Sequence, residues 1–471
     1  MKLFASATYK KRREQLFSQI DEGIILLLGN PVSPINFPAN HYPFRQDSSF
    51  LYYFGHNVPD MAGYIDVETG EEILFGKELS LAEEVWTGPL PSLKEQAEQV
   101  GVSQAYPFFS LPDFLQKARQ QGRTIHWVPQ YRAANILRLS QWLHISPEEV
   151  SKHASESLIK AIVRQRSIKS KEEVAEIEEA LRISRHMHLL LMQQPLTGRT
   201  ERDVAGQLEG IALSKAQGLS FPIILTTQGQ ILHNAPTDRP IKEGQLLLHD
   251  SGVNSPGWYA SDITRTIPTA GYFSTQQKEI YQIVLQAQQE ALSAIQPGIA
   301  YREIHLLAAR IIAEGLIALG LMQGDAEEAV RAGAHALFFP TGLGHMLGLD
   351  VHDMEALGEE YVGYNQQFKR NHQFGLNHLR LARTLEPGFV VTVEPGIYFI
   401  PALIHFWKQE KKHTAFIRYD RLEAYLDFGG IRIEDDVLVT REGYRVLGEP
   451  IPKTVDEIES LCSSWATSTQ R

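Results

Sequence analysis

Two aspartates, Asp250 and Asp262, flank the turn-forming middle of HDSGVNSPGWYASDITRT, residues 249–266. The first follows the apolar run GQLLLHD, and the second opens DITRTIP, which is rich in β-branched residues. The pattern predicts a β-hairpin with one acid on each strand. An acid beside an apolar strand is costly unless it meets a proton, a cation or a metal. Three further segments set acids or imidazoles in similar surroundings. PTGLGHMLGLDVHDME carries His345 and His352 among glycines and turn residues, and VVTVEPGIYF ends an apolar run at Glu394, before Pro395. FGGIRIEDDVLV sets Glu434 between apolar residues, with Arg432 two positions back on the same strand face.

Each of these alone has an ordinary reading: a turn-forming Asp, a structural loop His, a Glu that ends a strand, a surface Arg–Glu contact. Their coincidence in one half of the chain points elsewhere. Several uncompensated carboxylates buried together would cost many kcal/mol, so a cation must accompany them if they converge. Asp250, Asp262, Glu394 and Glu434 bring four negative charges, which two divalent ions would balance. Carboxylates with one imidazole suit hard or borderline metals: Mn²⁺, Co²⁺, Zn²⁺ or Fe²⁺. The absence of thiolates in the set argues against a structural zinc site. Two ions ~3.5–4 Å apart would activate water and polarise a carbonyl, which is hydrolytic chemistry.

The elements that must position these groups are legible in outline. The 471 residues suit two or three domains. Residues 1–155 read as an α/β domain: KKRREQLFSQI has helical spacing, GIILLLG reads as a buried strand, and AGYIDVETGEEILFG as strand, turn, strand with Thr69-Gly70 in the turn. A linker is expected at 156–168. Residues 169–471 form the second domain, opening on a long amphipathic helix over 169–192 whose Lys/Glu face is expected in solvent. Two more helices follow, STQQKEIYQIVLQAQQEALSAI, capped by Ser274 or Thr275, and REIHLLAARIIAEGLIALG. GFVVTVEPGIYF and GGIRIEDDVLVT read as strands.

Bulk composition narrows the class. The net charge of −11 leaves no basic excess to neutralise phosphates, so nucleic acid is not expected as a partner. The one cysteine, Cys462, allows no intrachain disulfide. The N-terminal residues lack the apolar core of a signal peptide, and no run reaches the length of a membrane span, so no membrane partner and a cytoplasmic location are expected.

In this order, DITRTIP, GHMLGLDVHD, TVEPGIYF and GGIRIEDD, with YPFRQDSSFLYYFG at residues 42–55, resemble the pita-bread metallopeptidases, specifically their aminopeptidase P and prolidase branch. The resemblance covers nearly the whole chain. It implies an α+β fold: a catalytic domain with a curved antiparallel sheet covered by helices, after a smaller α/β domain. It implies Asp250, Asp262, His345, Glu394 and Glu434 as ligands of two divalent ions, manganese first, with Asp262 and Glu434 bridging. By matching positions it implies that His233, in ILHNAP, and His352 stand beside the scissile bond, that Glu394 also takes part in catalysis, and that Arg432 lies beside the last ligand. The implied partners are short peptides with proline in the second position, and a second copy in a homodimer.

Two positions depart from the branch. Asp250 and Asp262 are twelve residues apart, one more than in familiar members, which a longer hairpin tip can absorb. Thr341 stands where many relatives have a histidine lining the substrate site. Arg380, fourteen residues before Glu394 in LRLARTLEPGFVVTVEPG, matches an arginine that in prolidases pairs with the carboxylate of a C-terminal proline. That feature, with YFIPALIHFW and IPKTVDEIESLC, leans the reading towards an Xaa-Pro dipeptidase, with an Xaa-Pro aminopeptidase as the alternative. A non-catalytic peptide-binding relative would typically lose ligands, and a metal-free creatinase-like enzyme would lack the aspartate pair. Neither loss is seen here.

Overall fold

A computed structural model describes residues 3–463. The chain divides into two compact units, one holding residues up to Arg166 together with Met354–Tyr361, the other Ser167–Asp353 and the residues from Val362 onward. The segment 156–168, expected as a linker, holds the helix Glu156–Ser167, and the division between the units falls near its end. Leu158, Ile159, Ile162 and Val163 recur at helical spacing and are buried, so the segment gains more by packing than by staying extended.

The first unit is built on strands β1 (Ile24–Leu28), β4 (Ala62–Asp66), β5 (Glu72–Gly76), β6 (Gln104–Pro107) and β7 (Ile125–His126), in the order β6-β5-β4-β1-β7. A small separate ribbon joins β2 (Pro34–Phe37) to β3 (Asn40–His41). β1 is buried at all five positions, as its unbroken apolar run requires of a central strand flanked on both sides.

Among the described residues, the second unit contains eight short strands. β8 (Ile224–Thr226), β9 (Leu246–Ser251) and β10 (Ile263–Pro268) form an antiparallel sheet. β11 (Val390–Val393), β14 (Asp435–Val439) and β15 (Tyr444–Val446) form a second, and β12 (Gly396–Tyr398) pairs with β13 (Gly430–Arg432). The two runs expected as single strands are therefore each broken in the middle, the first at Glu394-Pro395 and the second at Ile433-Glu434. Proline has no amide to continue a ladder, which explains the first break.

Lys171–Met192, Glu201–Lys215 and Thr275–Ser293 pack on these strands, and Tyr301–Ala318 packs against Thr275–Ser293. The first three begin with reciprocal capping boxes, Ser170 with Glu173, Thr200 with Asp203 and Ser274 with Gln277. The Lys/Glu face of Lys171–Met192 is not wholly in solvent. Glu173 and Glu176 are buried, where Glu173 accepts from the Tyr259 hydroxyl (3.1 Å) and Glu176 from the Gly257 amide (2.9 Å). Both tie the helix to the tip of the β9–β10 hairpin. Among the described residues, no helix is long and apolar enough to cross a membrane.

Candidate metal centre

Strand parity builds the centre. In the β9–β10 ladder Asp250 lies opposite Thr264, so their side chains share a face. Asp262 precedes Thr264 by two residues and shares it too, whereas Arg265 points the other way. The tip between the aspartates is tight. A Cβ on Gly252 would lie 1.6 Å from the Ser261 carbonyl oxygen, so only glycine fits there.

The breaks in the other two strand runs deliver the remaining acids. The Glu394 amide donates to the Leu343 carbonyl (2.8 Å), and the Thr392 amide to that of His345 (3.0 Å), which lays the histidine loop along the end of β11. The Glu434 amide donates to the Thr264 carbonyl (3.1 Å), joining the second strand run to β10. Asp262, His345 and Glu434 each offer an atom within 4.8 Å of the other two. His345 Nε2 lies 3.4 Å from Asp262 Oδ2 and 3.4 Å from Glu394 Oε1. Its Nδ1 donates to the Met346 carbonyl (3.0 Å), which fixes the tautomer with the Nε2 lone pair turned to the acids.

Thr264 is the junction of this arrangement. Its hydroxyl donates to Glu434 Oε2 (2.7 Å) and accepts from Arg432 Nε (3.1 Å). Arg432 further donates to Tyr398 Oη (2.8 Å) and to Asp250 Oδ2 (2.5 Å). Arg432 and Glu434 thus meet through one threonine, both buried rather than on a surface.

The opposite oxygens have no such partners. Asp250 Oδ1, Asp262 Oδ1 and Glu434 Oε1 are buried without a hydrogen bond. Burial, then the charges of Asp250, Asp436 and Glu394, raises the proton affinity of Asp262 well above that of an ordinary aspartate. Glu434 is raised in the same way by burial, then by Asp262, Glu394 and Asp250. Glu394 is raised by burial, with His345 and Arg432 opposing. The buried carboxylates of Asp262 and Glu434, clustered with the His345 imidazole and each with one oxygen lacking a hydrogen bond, fit a divalent cation in donor chemistry and in charge.

The remaining sequence-derived residues lie around this core. The His352 ring centroid is 4.3 Å from that of His345. Thr341 Oγ1 is buried without a hydrogen-bond partner, four residues before His345. Arg380 is half-buried on the segment preceding β11. His233 is exposed on a turn after β8. Both feet of that turn are held by one buried carboxylate: Glu201 accepts from the amide and hydroxyl of Thr227 (2.8 and 3.0 Å) and from those of Thr237 (3.2 and 2.8 Å).

Several supporting residues escaped the sequence reading. Asp436 is fully buried and accepts the Asp262 amide (3.1 Å). Asp435 faces the other way, pairing with Arg265 (2.7 Å) and Lys453 (2.6 Å). The signal was three consecutive acids inside an apolar run, of which only the first was singled out.

A buried carboxylate–imidazole cluster beside paired antiparallel strands could hold a metal ion, and comparison with known proteins specifies the class. Residues 175–441 match the model of metallopeptidase family M24, and residues 9–126 that of the aminopeptidase P N-terminal domain. The chain belongs to metallopeptidase family M24. It is 34% identical to a probable Xaa-Pro aminopeptidase of Fusarium vanettenii, covering 90% of this chain and 88% of that one. It is 32% identical to the human Xaa-Pro dipeptidase, covering 88% and 84%. The solved structure of Pseudomonas aeruginosa aminopeptidase PepP superposes over the full length of both chains with a TM-score of 0.81 at 30% identity. The pita-bread fold and the metallopeptidase class expected from the sequence both hold.

Proposed function

We propose that this metallopeptidase binds two divalent ions, manganese first with cobalt or zinc as substitutes, and hydrolyses the bond between an N-terminal residue and proline. The observation that carries this reading is the buried cluster of Asp262, His345 and Glu434, with orphaned buried oxygens on Asp250, Asp262 and Glu434. Asp250, Asp262, His345, Glu394 and Glu434 would hold the ions. When bound, the metal pair supplies positive charge that polarises the scissile carbonyl and makes water more acidic.

The protein's own groups do the rest. Arg432 holds Asp250 by one oxygen and so aims the other at the centre. Glu394, beside His345 Nε2, accepts a proton from the attacking water and passes it on to the leaving proline nitrogen. His233 and His352 donate to the substrate as charge develops on the carbonyl oxygen. Water thereby adds across the C–N bond, oxygen to carbon and hydrogen to nitrogen. Thr341 lines the substrate pocket.

Product length follows from Arg380. Its guanidinium suits the free carboxylate of a C-terminal proline, which supports Xaa-Pro dipeptides as the preferred substrates. The second reading, an Xaa-Pro aminopeptidase acting on longer peptides, is favoured by the Fusarium relative and by the aminopeptidase P neighbour. A panel of Xaa-Pro against Xaa-Pro-Yaa peptides with Mn²⁺ decides between them. Equal cleavage of both would replace the first reading with the second, and cleavage of neither would overturn the proposal.

A further inference from the structure

We propose that Lys169 and Asp353 form a positioning pair for His352, an inference that rests on the peptidase reading above. The two residues are 184 positions apart and meet as an ion pair at 2.9 Å, each side chain 1% exposed. A buried pair of this kind is costly to assemble, so its place in the fold is informative. Lys169 is itself anchored, its amide donating to the Gly388 carbonyl (2.8 Å) just ahead of β11.

Asp353 closes the loop that carries both imidazoles. Its amide donates to the Met346 carbonyl (2.9 Å), the same oxygen that receives His345 Nδ1 (3.0 Å). Its carboxylate accepts the Asp350 amide (3.3 Å) and fills the space beside Gly348, where a Cβ would lie 2.4 Å from Asp353 Oδ2. The loop from Met346 to Asp353 is thus folded round a carboxylate that Lys169 holds still. His352 is the residue next to that carboxylate, and its ring lies against His345. Lys169 reaches the reaction only through Asp353.

The test compares K169M, D353N and the double variant K169M/D353N, loaded with Mn²⁺. K169M leaves a buried carboxylate uncompensated and lowers Tm, and the double variant, with neither charge, regains it. Turnover behaves differently. In the double variant kcat stays about 10- to 100-fold below wild type, as for a misplaced catalytic group. KM stays within about threefold, and the metal bound per chain is unchanged. D353N, which keeps the shape, shows the same kcat loss if K169M does not fold. An activity-independent readout is the His352 ring signal in metal-free protein labelled with ¹³C at histidine Cε1, assigned with H352Q. It is a single line in the wild type and broadens or doubles in the double variant. Recovery of kcat together with Tm, or an unchanged His352 line, overturns the proposal. If the His352 line responds while the wild type cuts no Xaa-Pro peptide, the positioning role stands and the peptidase reading falls.

Discussion

At the scale of single residues, metal retention and turnover should separate the side chains into two sets. Asp262 clusters with His345 and Glu434 and has one oxygen without a hydrogen bond. Asp262→Ala is expected to lose bound metal and hydrolysis together, by elemental analysis and a Xaa-Pro assay. His352→Ala should keep its metal and lose turnover by ~10²-fold. Loss of metal from that variant would mean that His345 and His352 exchange roles. Arg380→Ala is expected to weaken kcat/KM on Xaa-Pro dipeptides by ~2–5 kcal/mol while scarcely affecting Xaa-Pro-Yaa peptides. No change on either substrate would remove Arg380 from the site.

At the scale of elements, the support beneath the site matters as much as its ligands. Glu201 satisfies the Thr227 and Thr237 amides at the feet of the His233 turn. Glu201→Ala leaves those donors without their acceptor and is expected to cost about 3 kcal/mol in a denaturant titration; a midpoint equal to wild type would show that the turn has other support. The carboxylates proposed as ligands stood out in the sequence because each is an acid beside an apolar run, where burial makes charge conspicuous. Their supports did not. Thr264 is an ordinary strand residue by type, and only the pairing of β9 with β10 and the approach of Glu434 make it a junction. Lys169 and Asp353 stand far apart in sequence, and no local spacing joins them. The helix at Glu156–Ser167 carries its signal in the spacing of Leu158, Ile159, Ile162 and Val163, which the placing of a linker at 156–168 passed over. The long strand runs were recognised by composition, and their interruptions at Glu394 and Glu434 came from tertiary pairing that composition does not encode.

At the scale of the whole molecule, buried histidines link stability to pH. His305 is held down to about 3 by burial, then by His335. His335 is held down to about 4 by burial, then by His413, with the Val330 backbone opposing. Both rings are neutral in the folded chain at pH values where the unfolded chain, with histidines near 6.5, binds protons. Their contribution is therefore fully present above pH ~6.5 and is lost as pH falls towards 4, by about 1.4 kcal/mol per pH unit for each. His305→Phe and His335→Phe should each flatten the acid side of the stability profile. Parallel profiles for variant and wild type between pH 7 and 4.5 would show that these rings do not govern it.

Glu434, Asp435 and Asp436 go to three different destinations: the ligand cluster, the Arg265–Lys453 pair, and the Asp262 amide. A chain threaded one residue out of step would still present a carboxylate at two of them, so charge alone would not expose the error. The safeguard is steric and lies upstream. Gly229 and Gly430 meet backbone to backbone, and a Cβ on either would sit 2.6 Å from the other's carbonyl oxygen. That contact works as a start mark for counting the acids. A side chain at Gly430 should therefore yield a folded, soluble protein that has lost its count: well packed, ordinary in its spectra, and unable to hold its metal.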